Sequence, residues 1–239
     1  MYLSRTAVNR PTCLLFAALA LAFASSAAQA QRFVEPCARA ETFPLPATNG
    51  PYDYRTEIAT RRMVESNHFT PRIENLIRGR TGTLAQELSF LLHAFPNHHR
   101  GLAALVRYGE REKSVQPADL DYSVECYFLR AIRFRPDDLI VRMLFAEYLG
   151  RLQRVDDAAT QLAYVKLEAA DDPITQYNLG LVYFEIGRYA EALAQAHTAL
   201  ALGMTRTGLM EQLKAKGQWV DPPAAAPDAP ASAAGQSSQ

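Results

Sequence analysis

Residues 173–203, PITQYNLGLVYFEIGRYAEALAQAHTALALG, read as two amphipathic helices broken at Gly187-Arg188-Tyr189. Small residues stand where two helices must cross closely, at Gly180, Ala192, Ala196 and Ala199, while Leu179, Tyr183 and Tyr189 supply bulk beside them. A helix presents positions three and four apart on one face, so this spacing makes one antiparallel hairpin with an apolar interior.

The same columns recur upstream. Ala131, Val165 and Ala199 are evenly spaced; Val124, Ala158 and Ala192 share their interval, and Ala146 and Gly180 repeat it. Pro96, Pro136 and Asp171-Asp172-Pro173 mark the unit junctions, the first two standing farther apart than one interval. The six-residue excess is placed in the turn at Ser114 to Asp121, where Gln116-Pro117 breaks the helix. Several columns sharing one offset mark a repeat of helix–turn–helix units, each leaving an apolar face that a neighbour must cover. The fold class read from this is all-α.

The pattern resembles the tetratricopeptide (TPR) repeat, whose period is about 34 residues, across roughly Asn97 to Gly203. Asn178-Leu179-Gly180, Tyr183, Gly187, Tyr189, Ala192 and Ala199 match best, Met204 replaces the closing proline, and Gln153 stands where the family prefers glycine. The block from Tyr52 to Pro136, with YDYR, HFTP, RGRTG and FPNHHR, resembles a group of small secreted bacterial TPR proteins. The resemblance implies a superhelix of about three repeats over 96–204, capped by helices within 31–95 and by a helix within 205–219. It also implies a concave groove for a protein or peptide, at positions that here are Met143, Glu147, Tyr177, Leu181 and Phe184. The alternative is that Leu181 and Phe184 pack inside the superhelix. Chaperone-tail binders in the family grip a terminal carboxylate with lysine and asparagine; Tyr177 and Leu181 replace such groups, so an apolar helix or extended peptide is the expected ligand.

Residues 1–30 have the form of an export signal: Arg5 and Arg10, the apolar run Cys13 to Ala24, and Ala28-Gln29-Ala30 as a cleavage site. That run is well below the ~20 residues that span a bilayer. The expected mature chain starts at Gln31, is exported, most simply to a periplasm, and has no transmembrane segment. Its 23 basic and 25 acidic side chains exclude a nucleic-acid footprint. Residues 31–55 read as an irregular arm rich in proline, and 220–239, Pro/Ala/Ser-rich with nothing to bury, as a disordered tail. Cys37 and Cys126 survive export and are expected to form a disulfide, the alternative being two separate buried thiols.

Thr70-Pro71 opens a helix expected to run to Gly79, and Thr83 caps one carrying Leu84, Leu88, Leu91 and Leu92. A helix over about 56–66 is expected to turn Ile58, Met63 and Val64 inward, and Thr207 to Lys216 forms the last helix, closed by Gly217.

Chemistry is sparse. His68, His93, His98 and His99 match no zinc spacing, and adjacent histidines on a helix point about 100° apart, so no metal is expected. Asp137-Asp138, Asp156-Asp157 and Asp171-Asp172 fall at helix starts or interhelical turns, where carboxylates cap amides. No phosphate loop, nucleophile elbow or H-E-x-x-H occurs, so neither catalysis nor a cofactor is expected. Arg78, Arg80 and Thr81, flanked by Gly79 and Gly82, form a possible anion site. The functional expectation is a non-catalytic envelope adaptor for a protein or peptide. An envelope enzyme or a carbohydrate- or anion-binding protein using 52–100, and a helical spacer in a larger assembly, are the alternatives.

Overall fold

The computed structural model describes Cys37, residues 50–169 and residues 171–222. The expected export signal, most of the N-terminal arm and the tail beyond 222 lie outside them. Among the described residues the fold is all-α, with ten helices and no strand: α1 (Ile58–His68), α2 (Pro71–Glu74), α3 (Leu84–Ala94), α4 (His99–Arg111), α5 (Val124–Phe134), α6 (Leu139–Arg151), α7 (Val155–Ala169), α8 (Pro173–Glu185), α9 (Tyr189–Ala201) and α10 (Gly208–Ala215). Among those residues no helix is long and apolar enough to cross a membrane. The chain divides between Phe145 and Ala146, inside α6, into two compact units.

Two local devices recur along the chain. Helices α4, α6 and α8 each end on a residue of positive φ, Lys113 (49°), Gln153 (61°) and Gly187 (79°). In each, the next amide reaches back to a carbonyl five residues earlier: Ser114 to Gly109, Arg154 to Leu149 and Arg188 to Tyr183. This is the Schellman closure, which satisfies two of the orphan carbonyls at a helix end. The step from Lys113 to Gln153 equals that from Pro96 to Pro136, and the step from Gln153 to Gly187 equals that from Ala146 to Gly180. These are the two intervals read from the sequence. The helix starts keep the same spacing, because the amides of His98, Asp138 and Asp172 bond to the carbonyls of Phe95, Arg135 and Ala169. Of the columns meant for helix crossing, Val124, Ala131, Ala146, Ala158, Val165, Ala192 and Ala199 are buried, and Gly180 is buried within α8.

In the first unit, α3 packs on α1, α2 and α4, and α4 on α5. Leu88, Leu91, Leu92, Phe95, Leu102, Leu105 and Phe128 are among its fully buried side chains. A Cβ at Gly101 would lie 2.7 Å from Leu91 Cδ2, so glycine lets α4 start this close to α3 without displacing that side chain. Thr83 makes the expected capping box with Gln86. A disulfide joins Cys37 to Cys126, with 5.2 Å between their Cα atoms.

Three expectations need correction. The helix opened by Thr70-Pro71 stops at Glu74 rather than running to Gly79. Leu76 there takes φ 56°, and the Ile77 amide bonds back to Arg72, the same closure without a glycine to announce it. Helix α1 runs two residues later than expected, because the Thr56 and Glu57 amides first turn onto the Asp53 carbonyl. Of its three inward candidates only Val64 is buried; Met63 is 61% exposed and Ile58 is exposed, the less exposed stripe following Arg61, Val64 and His68 instead.

In the second unit, α8 packs on α7, α9 and α10, and α9 on α10. Leu149, Leu162, Val165, Leu179, Leu209 and Leu213 fill the interior. Gly180 admits Leu209, whose Cδ2 would lie 2.5 Å from a Cβ there. Gly217 closes α10 at φ 67°.

Candidate functional site

The second unit carries a cleft of about 690 Å³. The C-terminal half of α6 contributes Glu147, Gly150 and Arg151, which three- and four-residue spacing puts on one face. Helix α8 contributes Leu181 and Glu185, one turn apart, followed by Ile186, and α10 contributes Gln212. Gly150 fixes how near these walls come: a Cβ there would meet Ile186 Cγ2 at 2.4 Å. Gln153, also lining the cleft, is held in place by its left-handed backbone at the end of α6.

Glu147 is half-buried in this cleft. Burial pushes its carboxyl pKa up, Arg151 opposes that, and the Glu185 carboxylate adds to the rise. Among the described residues no donor bonds to it.

Two of the five expected groove residues, Glu147 and Leu181, line this cleft. Tyr177 is buried, its hydroxyl 2.9 Å from where a Cβ would stand on Gly208, so it packs under the start of α10. Phe184 meets the Tyr189 ring edge-on at 5.3 Å across the hairpin turn. Met143 is buried and lies on the first unit's side of the division. Sequence reasoning missed Glu185, Gln153 and Gln212, which reach the cleft only through tertiary packing.

The Arg78–Thr81 turn already holds an anion, and it is internal. Glu87, 2% exposed, accepts the Arg80 amide at 2.9 Å, the Thr81 amide at 2.7 Å and the Thr81 hydroxyl at 3.1 Å on Oε1, while His68 Nδ1 lies 2.8 Å from Oε2. Burial pushes the Glu87 pKa up, but these donors outweigh it and hold it down at about 2. The Arg80 side chain turns away to Asn67 Oδ1 at 2.5 Å. The amides of Arg80 and Thr81 are thus spent on the chain's own carboxylate. A signal for this was present: Glu87 stands on the stripe of Leu84, Leu88 and Leu91, where a charge needs an internal partner.

A second saturated cluster lies at the Pro96 and Pro136 junctions. Asn97, fully buried, donates through Nδ2 to Asp53 Oδ1 at 2.8 Å and Asp138 Oδ2 at 2.9 Å, and accepts the Tyr54 amide at 3.0 Å. Arg55 forks onto Asp53 through Nε at 3.1 Å and Nη2 at 2.8 Å, and reaches Asp137 at 2.9 Å. The Arg55 guanidinium, against the cost of burial, holds the Asp53 carboxyl well below the ordinary range. Burial pushes Asp138 up, but His99 and Asn97 outweigh it and lower its pKa.

The four histidines singled out in the sequence are dispersed to four carboxylates: His68 to Glu87, His93 to Asp121, His98 to Glu65 and His99 to Asp138. Among the described residues no three metal-ligating groups converge. His98 is fully buried and caps α4, its Nδ1 accepting the Gly101 amide at 3.0 Å. The ring proton therefore sits on Nε2 and is donated to Glu65 at 3.0 Å. Burial first, then the nearby Arg100 charge, pulls the His98 pKa down to about 3. Of the paired acids, Asp172 accepts the amides of Ile174 and Thr175, and Asp156 and Asp157 meet Arg188 and Arg154.

No family model, curated protein or solved structure matches this chain.

Proposed function

We propose that this protein is an exported, non-catalytic adaptor of the TPR type, and that it binds an extended segment of a protein partner in the cleft of its second unit. The observation that carries the reading is the cleft itself: an open groove whose lining mixes the apolar Leu181 with carboxylates and amides. Such a lining suits a peptide, whose backbone needs hydrogen-bond partners and whose side chains need both kinds of contact. The Schellman closure and the capped junction recur at the same two intervals as the sequence columns, which supports a helix-hairpin array. The polar clusters of the first unit, with their carboxylates turned onto internal donors, fit a framework role rather than a second binding centre.

The test is a photo-crosslinking amino acid placed at Leu181, in the cleft, and separately at Leu167, which is 75% exposed on α7 and outside it. Irradiation in cells should yield one discrete adduct from position 181 and none from 167, with the adduct mapping to a single segment of the partner. Equal labelling from both positions, or none from 181, removes the reading. Export is checked by N-terminal sequencing of the mature protein, expected to start at Gln31.

A further inference from the structure

The cleft has a charge pattern that narrows its ligand, and the inference rests on the peptide-binding reading above. Two carboxylates, Glu147 from α6 and Glu185 from α8, face one space against a single cation, Arg151, leaving the lining one negative charge in excess. Glu147 accepts no hydrogen bond among the described residues, in contrast to Glu87, whose carboxylate is saturated. Leu181 stands one helical turn before Glu185, with Ile186 beside it. An apolar wall therefore leads to the carboxylates.

We infer that the cleft selects a segment bearing a lysine or arginine side chain, its methylene stem along Leu181 and Ile186 and its cation against Glu147 and Glu185. A long basic side chain fits this because it is amphipathic by atom, with an apolar stem behind a charged head. The cation supplies the donors that Glu147 lacks and adds to the positive charge of Arg151. A neutral or acidic residue in the same place leaves the half-buried Glu147 carboxylate without a donor. Burial and Glu185 both push the Glu147 pKa up, and a seated cation acts in the opposite direction. Charge complementarity of this kind sets which partner is accepted more than how much area is buried.

The experiment is selection of end-blocked random peptides displayed on phage against the full mature protein, run in parallel with Glu147→Gln/Glu185→Gln and with Leu181→Asp. Wild-type protein should enrich peptides with lysine or arginine at one fixed position. The Gln pair should bind those peptides about tenfold more weakly and lose the enrichment, with helicity unchanged by circular dichroism. Enrichment of peptides with no basic preference, lost in Leu181→Asp, overturns the cation and leaves the peptide cleft standing. Failure of the wild-type protein to enrich any peptide overturns both.

Discussion

Glu87 in the first unit and Glu147 in the second are both withdrawn from water, and they are treated in opposite ways. Glu87 is enclosed by two amides, a hydroxyl and an imidazole, and its pKa falls to about 2 despite burial. Glu147 has no donor among the described residues, and burial together with Glu185 raises its pKa. The first carboxylate stabilises the fold by being charged, whereas the second is charged at a cost that Arg151 offsets only in part. A carboxylate in that condition in the wall of a cleft is what the proposed basic ligand would complete.

Six changes test this contrast. The largest effect is expected in the first unit, from reducing the Cys37–Cys126 bridge, whose sequence separation is 89. In the chain-entropy picture a closed loop of this size contributes roughly 4–5 kcal/mol at most. Urea unfolding with and without reductant measures it, and thiol titration of denatured, unreduced mature protein should find no free thiol.

Next comes Glu87→Gln, which leaves two amides and an imidazole facing a weaker acceptor and should cost roughly 3 kcal/mol. The pH signature separates this from general damage. A carboxyl whose folded pKa is depressed adds stability above its unfolded value, about 4.3, and loses it as pH falls toward about 2. The wild-type urea midpoint should decline across that window, and the variant should lack that part of the decline. His98 adds an earlier limb: its folded pKa of about 3 lies below the ordinary value of 6.5, so the unfolded chain takes up the proton first and stability falls as pH drops below about 6.5. His98→Asn keeps a neutral cap and should flatten that limb.

A smaller gain is expected from Gln153→Gly in the second unit and from Lys113→Gly in the first. Both residues hold a left-handed backbone that a Cβ disfavours. Each replacement should stabilise by about 0.5–1 kcal/mol in thermal or urea unfolding, net of the added freedom of the unfolded chain. Similar gains at both positions would show that one turn design serves both units.

The smallest effect has the opposite sign to that of Glu87. Glu147→Gln should stabilise the unliganded protein at pH 7 by about 0.5 kcal/mol, the scale of a partly exposed charge contact. Its folded pKa is raised, so the folded state holds the proton more tightly, and stability is lost as pH rises past the ordinary carboxyl range. The gain should vanish at about pH 4. A loss of stability at pH 7 instead would mean that Glu147 is structural, and the contrast with Glu87 would collapse.

Much of the helical framework could be read from residue types and spacing. Thr83 with Gln86, Asp172 with Pro173, and the glycines at 187 and 217 announce helix ends by local chemistry. The ends at Leu76 and Lys113 were silent, and Gln153 was marked only by its place in the repeat, because a non-glycine residue takes the left-handed turn there only when the packed helices impose it. Of the expected groove, Glu147 and Leu181 line the cleft, whereas Tyr177 is consumed by the start of α10 and Phe184 by the hairpin turn. Helical spacing says which residues share a face, and it cannot say which neighbour covers that face.

The sequence alone determined that the chain is helical, where most helices begin, and the interval at which small buried residues recur, because caps, breakers and periodicity act over a few neighbouring residues. Only the tertiary structure decided which charges are spent and which are open. Asn97 bridges Asp53 and Asp138, 44 and 41 residues away, and Glu87 fills the very turn that its own sequence marked for an anion. The fate of a charge depends on donors brought within about 3 Å, and chain folding, not chain order, supplies them.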